Sequence, residues 1–263
     1  MSLHNGKYYL FANWKMYLDY NESNILANAL ADGAKKFPDN VKMAIFPSAL
    51  SLYPVAQVLN DVGVGVGPQN VYWVDKGGYT GEISATMYKE VGCEYALVGH
   101  SERRHQFYET NHDVRAKMEA VLTVGLTPVL CVGETIAERE ANKTEEVIEI
   151  QLRAALEKLE FPTDKELIVA YEPVWAISKG IGVNEAGVHC DEVEAERIHK
   201  LIAKMVSGLL PEIKPIILFG GSVRKETVAG YLRQSSVHGV LVGAASTHLD
   251  SWLEIIKNSE SAS

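Results

Sequence analysis

Cysteine is scarce in this 263-residue chain, and the three present, Cys93, Cys131 and Cys190, form no CxxC pair. An odd, dispersed set excludes a disulfide framework and a zinc site, and leaves three reduced thiols as the expectation. No apolar run approaches the length that spans a bilayer, and the polar stretch from Met1 to Lys7 is too short for a signal peptide. Lysine and arginine form no run, and the net charge of −9 argues against a nucleic-acid surface or a membrane patch. The expected setting is the cytoplasm. Also missing are an internal repeat and a Ser/Pro-rich linker, so residues 1–263 read as one domain with a loose tail at 258–263. Apolar residues at 47% and charged residues at 22% are ordinary for a globular protein, which confines expected disorder to the ends.

What is present is a series of short apolar runs, each followed by a stretch of helical periodicity. The runs are Tyr8 to Ala12, Val41 to Phe46, Val62 to Gly67, Tyr95 to Val98, Thr127 to Cys131, Leu167 to Tyr171, Pro215 to Phe219 and Gly239 to Val242. Between them, Ser23 to Lys36, Asp113 to Val124, Glu145 to Leu159, Glu192 to Leu209, Lys225 to Leu232 and Ser251 to Lys257 carry apolar residues at three- and four-residue spacings. Strand alternating with helix implies parallel pairing through right-handed crossovers. Units of about 33 residues fit an α/β fold of the closed (β/α)8 barrel type, with a doubly wound open sheet as the alternative.

In a barrel, chemistry gathers at the C-terminal ends of the strands. Asn13 and Lys15 follow the first strand, where a lysine can supply local positive charge within an acidic protein. His100 follows the fourth, and Ser101 suits a helix N-cap whose positive end keeps that histidine neutral. Glu172 ends the sixth apolar run, and Pro173 bars helix and pushes it toward an extended conformation. Ala176 to Gly182 is rich in small residues and reads as a mobile loop. Gly220-Gly221-Ser222 and Gly243-Ala244 follow strands seven and eight, where uncovered backbone amides can take a phosphate. Val62 to Gly67 is G-x-G-x-G with no helix behind it, so it reads as a strand with closely approached glycines and not as a nucleotide loop. His189-Cys190-Asp191 reads as surface. The long, aromatic segment from Gln69 to Thr80 suggests a protein interface.

These blocks, with Tyr79-Thr80-Gly81-Glu82-Ile83-Ser84, Cys131-Val132-Gly133-Glu134 and Ala170 to Ile177, resemble the triosephosphate isomerase family over nearly the whole chain. The resemblance implies an intramolecular oxidoreductase that interconverts dihydroxyacetone phosphate and D-glyceraldehyde 3-phosphate, in glycolysis and gluconeogenesis, with no cofactor and no metal. It implies Glu172 as the base, neutral His100 polarising the carbonyl, Lys15 attracting the dianion and stabilising enediolate charge, and Asn13 bonding substrate oxygens. Glu102 would hold this network, and Ser178, Ser222, Gly243 and Ala244 would take the phosphate. Thr80 would approach a neighbouring subunit's site, implying a homodimer. The chain departs from the family at Ser178-Lys179-Gly180-Ile181 and at Phe219, where tyrosine is usual. Competing readings are an isomerase of a related sugar phosphate, such as a tetrulose phosphate, and a non-catalytic barrel retained for binding.

Overall fold

The computed structural model of the chain describes residues 6–177 and 188–262. Eight strands run in parallel: β1 (Tyr8–Asn13), β2 (Val41–Phe46), β3 (Gly65–Val66), β4 (Tyr95–Val98), β5 (Thr127–Val132), β6 (Ile168–Tyr171), β7 (Ile216–Phe219) and β8 (Gly239–Val242). Helices α1 (Tyr20–Gly33), α2 (Leu52–Asn60), α3 (Ala85–Glu90), α4 (Ser101–Gln106), α5 (Asn111–Thr123), α6 (Ile136–Glu140), α7 (Thr144–Leu156), α8 (Glu192–Leu209), α9 (Val228–Leu232) and α10 (Leu249–Ser259) lie between and after them.

The ladder runs β3-β2-β1-β8-β7-β6-β5-β4. Its two ends meet, because Glu94 N donates to Val66 O at 2.9 Å and Leu97 N to Pro68 O at 3.0 Å. That closure selects the barrel over the open sheet. Gly67 permits it, since a Cβ there would stand 2.6 Å from Tyr95 O.

Strand residues alternate between two cores, which is why the runs are apolar throughout. Phe11, Phe46, Tyr95, Leu97, Val129, Cys131, Ile168 and Leu218 fill the barrel interior. Leu10, Ile45, Val98, Leu130, Val169, Ile217 and Val240 pack outward against the helices. Parallel register then sets every strand C-terminus at one rim, with Asn13 beside Phe46, Ala12 beside Val242, and Tyr171 beside Val132 and Phe219.

Among the boundaries that differ from the sequence expectation, three have clear local reasons. The third strand is only Gly65–Val66, because the amides of Val62, Gly63 and Val64 instead take the last carbonyls of α2. Helix α1 begins three residues early, where Asp19 and Glu22 form a reciprocal capping box. The tail from residue 258 is not loose: α10 continues to a buried Ser259, Asn258 Nδ2 holds Lys225 O at 2.8 Å, and Arg233 Nη2 holds Ser261 O at 3.1 Å.

One histidine in this shell makes stability depend on pH. His199 of α8 is fully buried with Nδ1 3.0 Å from Ser236 O, Nε2 without a partner among the described residues, and the Tyr171 and Phe219 rings beside it. Burial lowers its pKa from 6.5 to about 4, so the folded protein holds it neutral. The unfolded chain therefore binds the proton first. The stabilising contribution is complete above pH 6.5 and is lost as pH falls toward 4, by up to about 3 kcal/mol. In thermal melts between pH 7 and pH 4.5, His199→Gln is expected to lose less Tm than the wild-type protein. Equal losses would contradict the assignment.

Candidate active site

The rim places Asn13, Lys15, His100, Glu172, Ser222, Gly243 and Ala244 around one cavity of about 210 Å³. Each arrives there by a local device. Glu172 directly follows β6, its N–H still donating to Val132 O at 2.8 Å, before Pro173 turns the chain into a short 3₁₀ turn, Val174–Ala176. A Cβ on Gly133 would lie 1.8 Å from Glu172 O, so glycine is required where β5 passes the carboxylate's backbone. Lys15 takes the left-handed backbone region, φ 50°, and its N–H donates to Asn13 Oδ1 at 3.0 Å. That bond leaves the NH2 end of the Asn13 amide for a ligand. Gln69 ties the turn down by donating to Lys15 O at 2.8 Å and Phe46 O at 3.0 Å.

His100, and not Ser101, caps α4. Glu102 N donates to His100 Nδ1 at 3.2 Å, so that nitrogen presents a lone pair and the proton of the neutral ring sits on Nε2. Nε2 faces Glu172 Oε1 at 2.9 Å. The Ser101 amide, freed from a capping role, donates to Glu172 Oε2 at 2.8 Å. Burial raises the Glu172 pKa, but His100, the Ser101 amide and Lys15 outweigh it and hold the carboxyl below its usual range. The carboxylate is thus ionised and only 2% exposed.

Lys15 Nζ lies 2.7 Å from Glu102 Oε1, and a Cβ on Gly243 would stand 3.4 Å from Lys15 Cε. The lysine therefore lies between the acid–base pair and the small residues after β8. Ser222 Oγ donates to Ala176 O at 2.8 Å, tying the β7 end to the start of the segment that follows β6. Ser178 and the departure Ser178-Lys179-Gly180-Ile181 lie outside the described residues. Phe219 is buried, stacked on Tyr231 with ring centroids 4.1 Å apart, and its Cζ would meet a Gly221 Cβ at 2.5 Å.

Sequence reading missed several supports. Glu109, buried, accepts from Gly99 N at 3.1 Å, from Arg103 Nε at 2.6 Å and from Lys117 Nζ at 2.5 Å, while Lys117 also reaches Asn70 Oδ1 at 2.7 Å. This buried network holds the turn carrying His100. Glu134 accepts from Trp175 Nε1 at 2.8 Å and from Tyr171 Oη at 3.2 Å, and Arg139 lies over the Trp175 ring. It anchors the base of the segment after Glu172. These partners lie 6 to 47 residues apart in the chain, and no local pattern announces them.

In the His189-Cys190-Asp191 cluster His189 and Asp191 are exposed as expected, and only Cys190 departs from the surface reading. Cys190 is buried and its carbonyl accepts from Tyr231 Oη at 2.5 Å, whereas Asp191 caps α8. All three cysteines are free and buried, with burial pushing the Cys93 thiol up to about 12. The segment expected to present its aromatics is partly self-packed, with Tyr72 stacked on Trp73 at 4.2 Å and Val71 buried. Among the described residues no group of histidine, cysteine and carboxylate side chains has metal-ligand geometry.

A closed parallel barrel with an ionised carboxylate, a histidine and a lysine gathered at its C-terminal rim defines the class: a (β/α)8-barrel enzyme. The sequence profile of the triosephosphate isomerase family matches residues 8–259. The chain is 40% identical to the triosephosphate isomerase of Dictyoglomus thermophilum over 247 residues, covering 94% of this chain and 97% of that one. It is 39% identical to that of Aquifex aeolicus, covering 93% and 96%, and 38% identical to that of Dictyoglomus turgidum, covering 94% and 97%. The chain belongs to the triosephosphate isomerase family.

Proposed function

We propose that the protein interconverts dihydroxyacetone phosphate and D-glyceraldehyde 3-phosphate, with Glu172, His100, Lys15 and Asn13 as its catalytic residues. The observation that carries the reading is the 2.9 Å contact of His100 Nε2 with Glu172 Oε1 beside Lys15 in one small cavity. Glu172 removes a proton from the carbon next to the substrate carbonyl, giving an enediolate. The carbonyl oxygen takes the Nε2–H of His100 in place of Glu172, and Lys15 balances the developing negative charge. Glu172 then returns the proton to the neighbouring carbon while the hydroxyl proton passes between the two oxygens. Only protons move, so the residues need no redox partner.

Glu102 orients Lys15 and, through its amide, His100. Ser222, Gly243 and Ala244, with Ser178, take the phosphate. The cavity of about 210 Å³ suits a small sugar phosphate, and membership of the triosephosphate isomerase family favours a three-carbon over a four-carbon one. A coupled assay with glyceraldehyde 3-phosphate and a tetrulose phosphate side by side tests this. Turnover of the longer sugar alone would reverse the choice, and turnover of neither would favour a binding protein.

The same reaction implies a place in glycolysis and gluconeogenesis, and we place the protein in the cytoplasm, where its charged substrates are made and used. No described helix is long and apolar enough to cross a membrane. We further infer a homodimer. Met16, 95% exposed beside Lys15, and Phe107, 62% exposed, line a second cavity of about 440 Å³ that shares Asn13, Lys15 and His100 with the first. The Tyr79-Thr80 tip of a second copy suits it, bringing Thr80 close to the partner's site. Tyr79→Asp is expected to sediment as a monomer at micromolar concentration and to lose on the order of 10-fold to 100-fold in kcat/KM, through displacement of Lys15. A fully active monomer would refute the coupling.

A further inference from the structure

The charges that line the cavity do not, on the residues described so far, favour an anion. Lys15 Nζ is 2.7 Å from Glu102 Oε1 and is largely compensated by it. Glu172 is buried in the same wall and held ionised. These three groups leave about one negative charge, in a protein of net charge −9, and a phosphorylated sugar brings roughly 1.5 to 2 more. Those three groups by themselves supply no net attraction for it.

Arg224 also lines the cavity, beside Ser222 and Val223. Its backbone is fixed: Arg224 N donates to Thr227 Oγ1 at 3.1 Å, and Arg224 O accepts from Val228 N at 3.0 Å at the start of α9. Its side chain is exposed, and no carboxylate among the described residues stands within ion-pair distance of it, whereas the adjacent Lys225 is paired with Glu254. Arg224 is therefore a cation at the cavity with no carboxylate partner among the described residues.

We propose that Arg224 captures the phosphate group of the substrate. Its guanidinium supplies the positive charge that draws a small phosphorylated molecule to the cavity, with planar donors suited to phosphate oxygens. This deepens the sugar-phosphate reading and rests on it. Because the group is exposed, its pull is screened by salt.

Inorganic phosphate is the probe, since it requires no turnover. Full-length wild-type protein and the variants Arg224→Ala, Arg224→Glu and Arg224→Lys are titrated with phosphate by calorimetry at about 20 mM and about 300 mM ionic strength, and kcat/KM is measured alongside. At low salt, Arg224→Ala is expected to weaken phosphate binding and lower kcat/KM on the order of 3-fold to 10-fold, and Arg224→Glu more. Arg224→Lys keeps most of the effect, and all differences shrink at high salt. Equal phosphate binding by wild type and Arg224→Ala at both salts overturns the proposal, as does a loss that salt does not reduce or lysine does not restore. A protein that turns over triose phosphate yet shows that equality rejects Arg224 alone. One that binds phosphate through Arg224 yet turns over no triose phosphate rejects the isomerase reading alone.

Discussion

Shortening Glu172 to aspartate is expected to lower kcat/KM on the order of 100-fold, with the loss carried by kcat. The substitution keeps a carboxylate but withdraws it by about 1 Å, the scale of misplacement that breaks a near-attack geometry. In the wild-type protein both oxygens are fixed, Oε1 by His100 and Oε2 by the Ser101 amide. A shorter side chain cannot keep both contacts and also reach a substrate carbon. The ionised state of Glu172 adds a pH signature. Its carboxyl is held below the usual carboxylate range, so the free-enzyme base stays active down to that range. Any acid limb near pH 6 then belongs to the substrate phosphate, whose second ionisation lies at about that value. Unchanged turnover by Glu172→Asp would remove the carboxylate from its assigned role.

Replacing His100 by glutamine is expected to cost on the order of 100-fold to 1,000-fold in kcat, the usual penalty for losing one preorganised donor at a developing oxyanion. The imidazole does two things from opposite corners of one rigid ring. Nδ1 accepts from Glu102 N at 3.2 Å, which fixes the tautomer, and Nε2 then points its proton at Glu172. A glutamine amide carries its acceptor and donor on a single carbon and cannot span the two positions. It can cap the helix or face the substrate. Stability should fall by only about 1 kcal/mol, the worth of a helix cap, so folding does not obscure the result. A kcat within a factor of about 3 of wild type would show that polarisation of the carbonyl lies elsewhere.

The sequence carried the barrel because its strands are short, apolar on both faces and regularly spaced. Gly239–Val242 and Glu192–Leu209 emerge with the bounds that their patterns suggest, since each is set by local turn and cap residues. Asn13, Lys15, His100 and Glu172 were legible because each lies within two residues of a strand's C-terminal end, and parallel register gathers strand ends at one rim. What the chain did not disclose depends on partners brought together only by folding. The cap of α4 is His100 and not Ser101, and the Ser101 amide, one of the helix's orphan donors, is taken by Glu172, 71 residues away. Gln69 gives no local sign that its amide will brace Lys15. Glu109 and Lys117 look like ordinary helix-flanking charges until burial joins them to Gly99 and Asn70. Cys190 looks exposed among polar neighbours and is covered by Tyr231.

The central claim is that Glu172 carries a carbon-bound proton from one carbon of a triose phosphate to the next. Running the isomerisation in deuterium oxide and examining the product by proton NMR tests it most directly, because a proton held on a carboxylate exchanges with solvent while a migrating hydride does not. Deuterium bonded to carbon in the product, lost together with turnover in Glu172→Gln, is the predicted result. Product formed at full rate with only protium on carbon would contradict it.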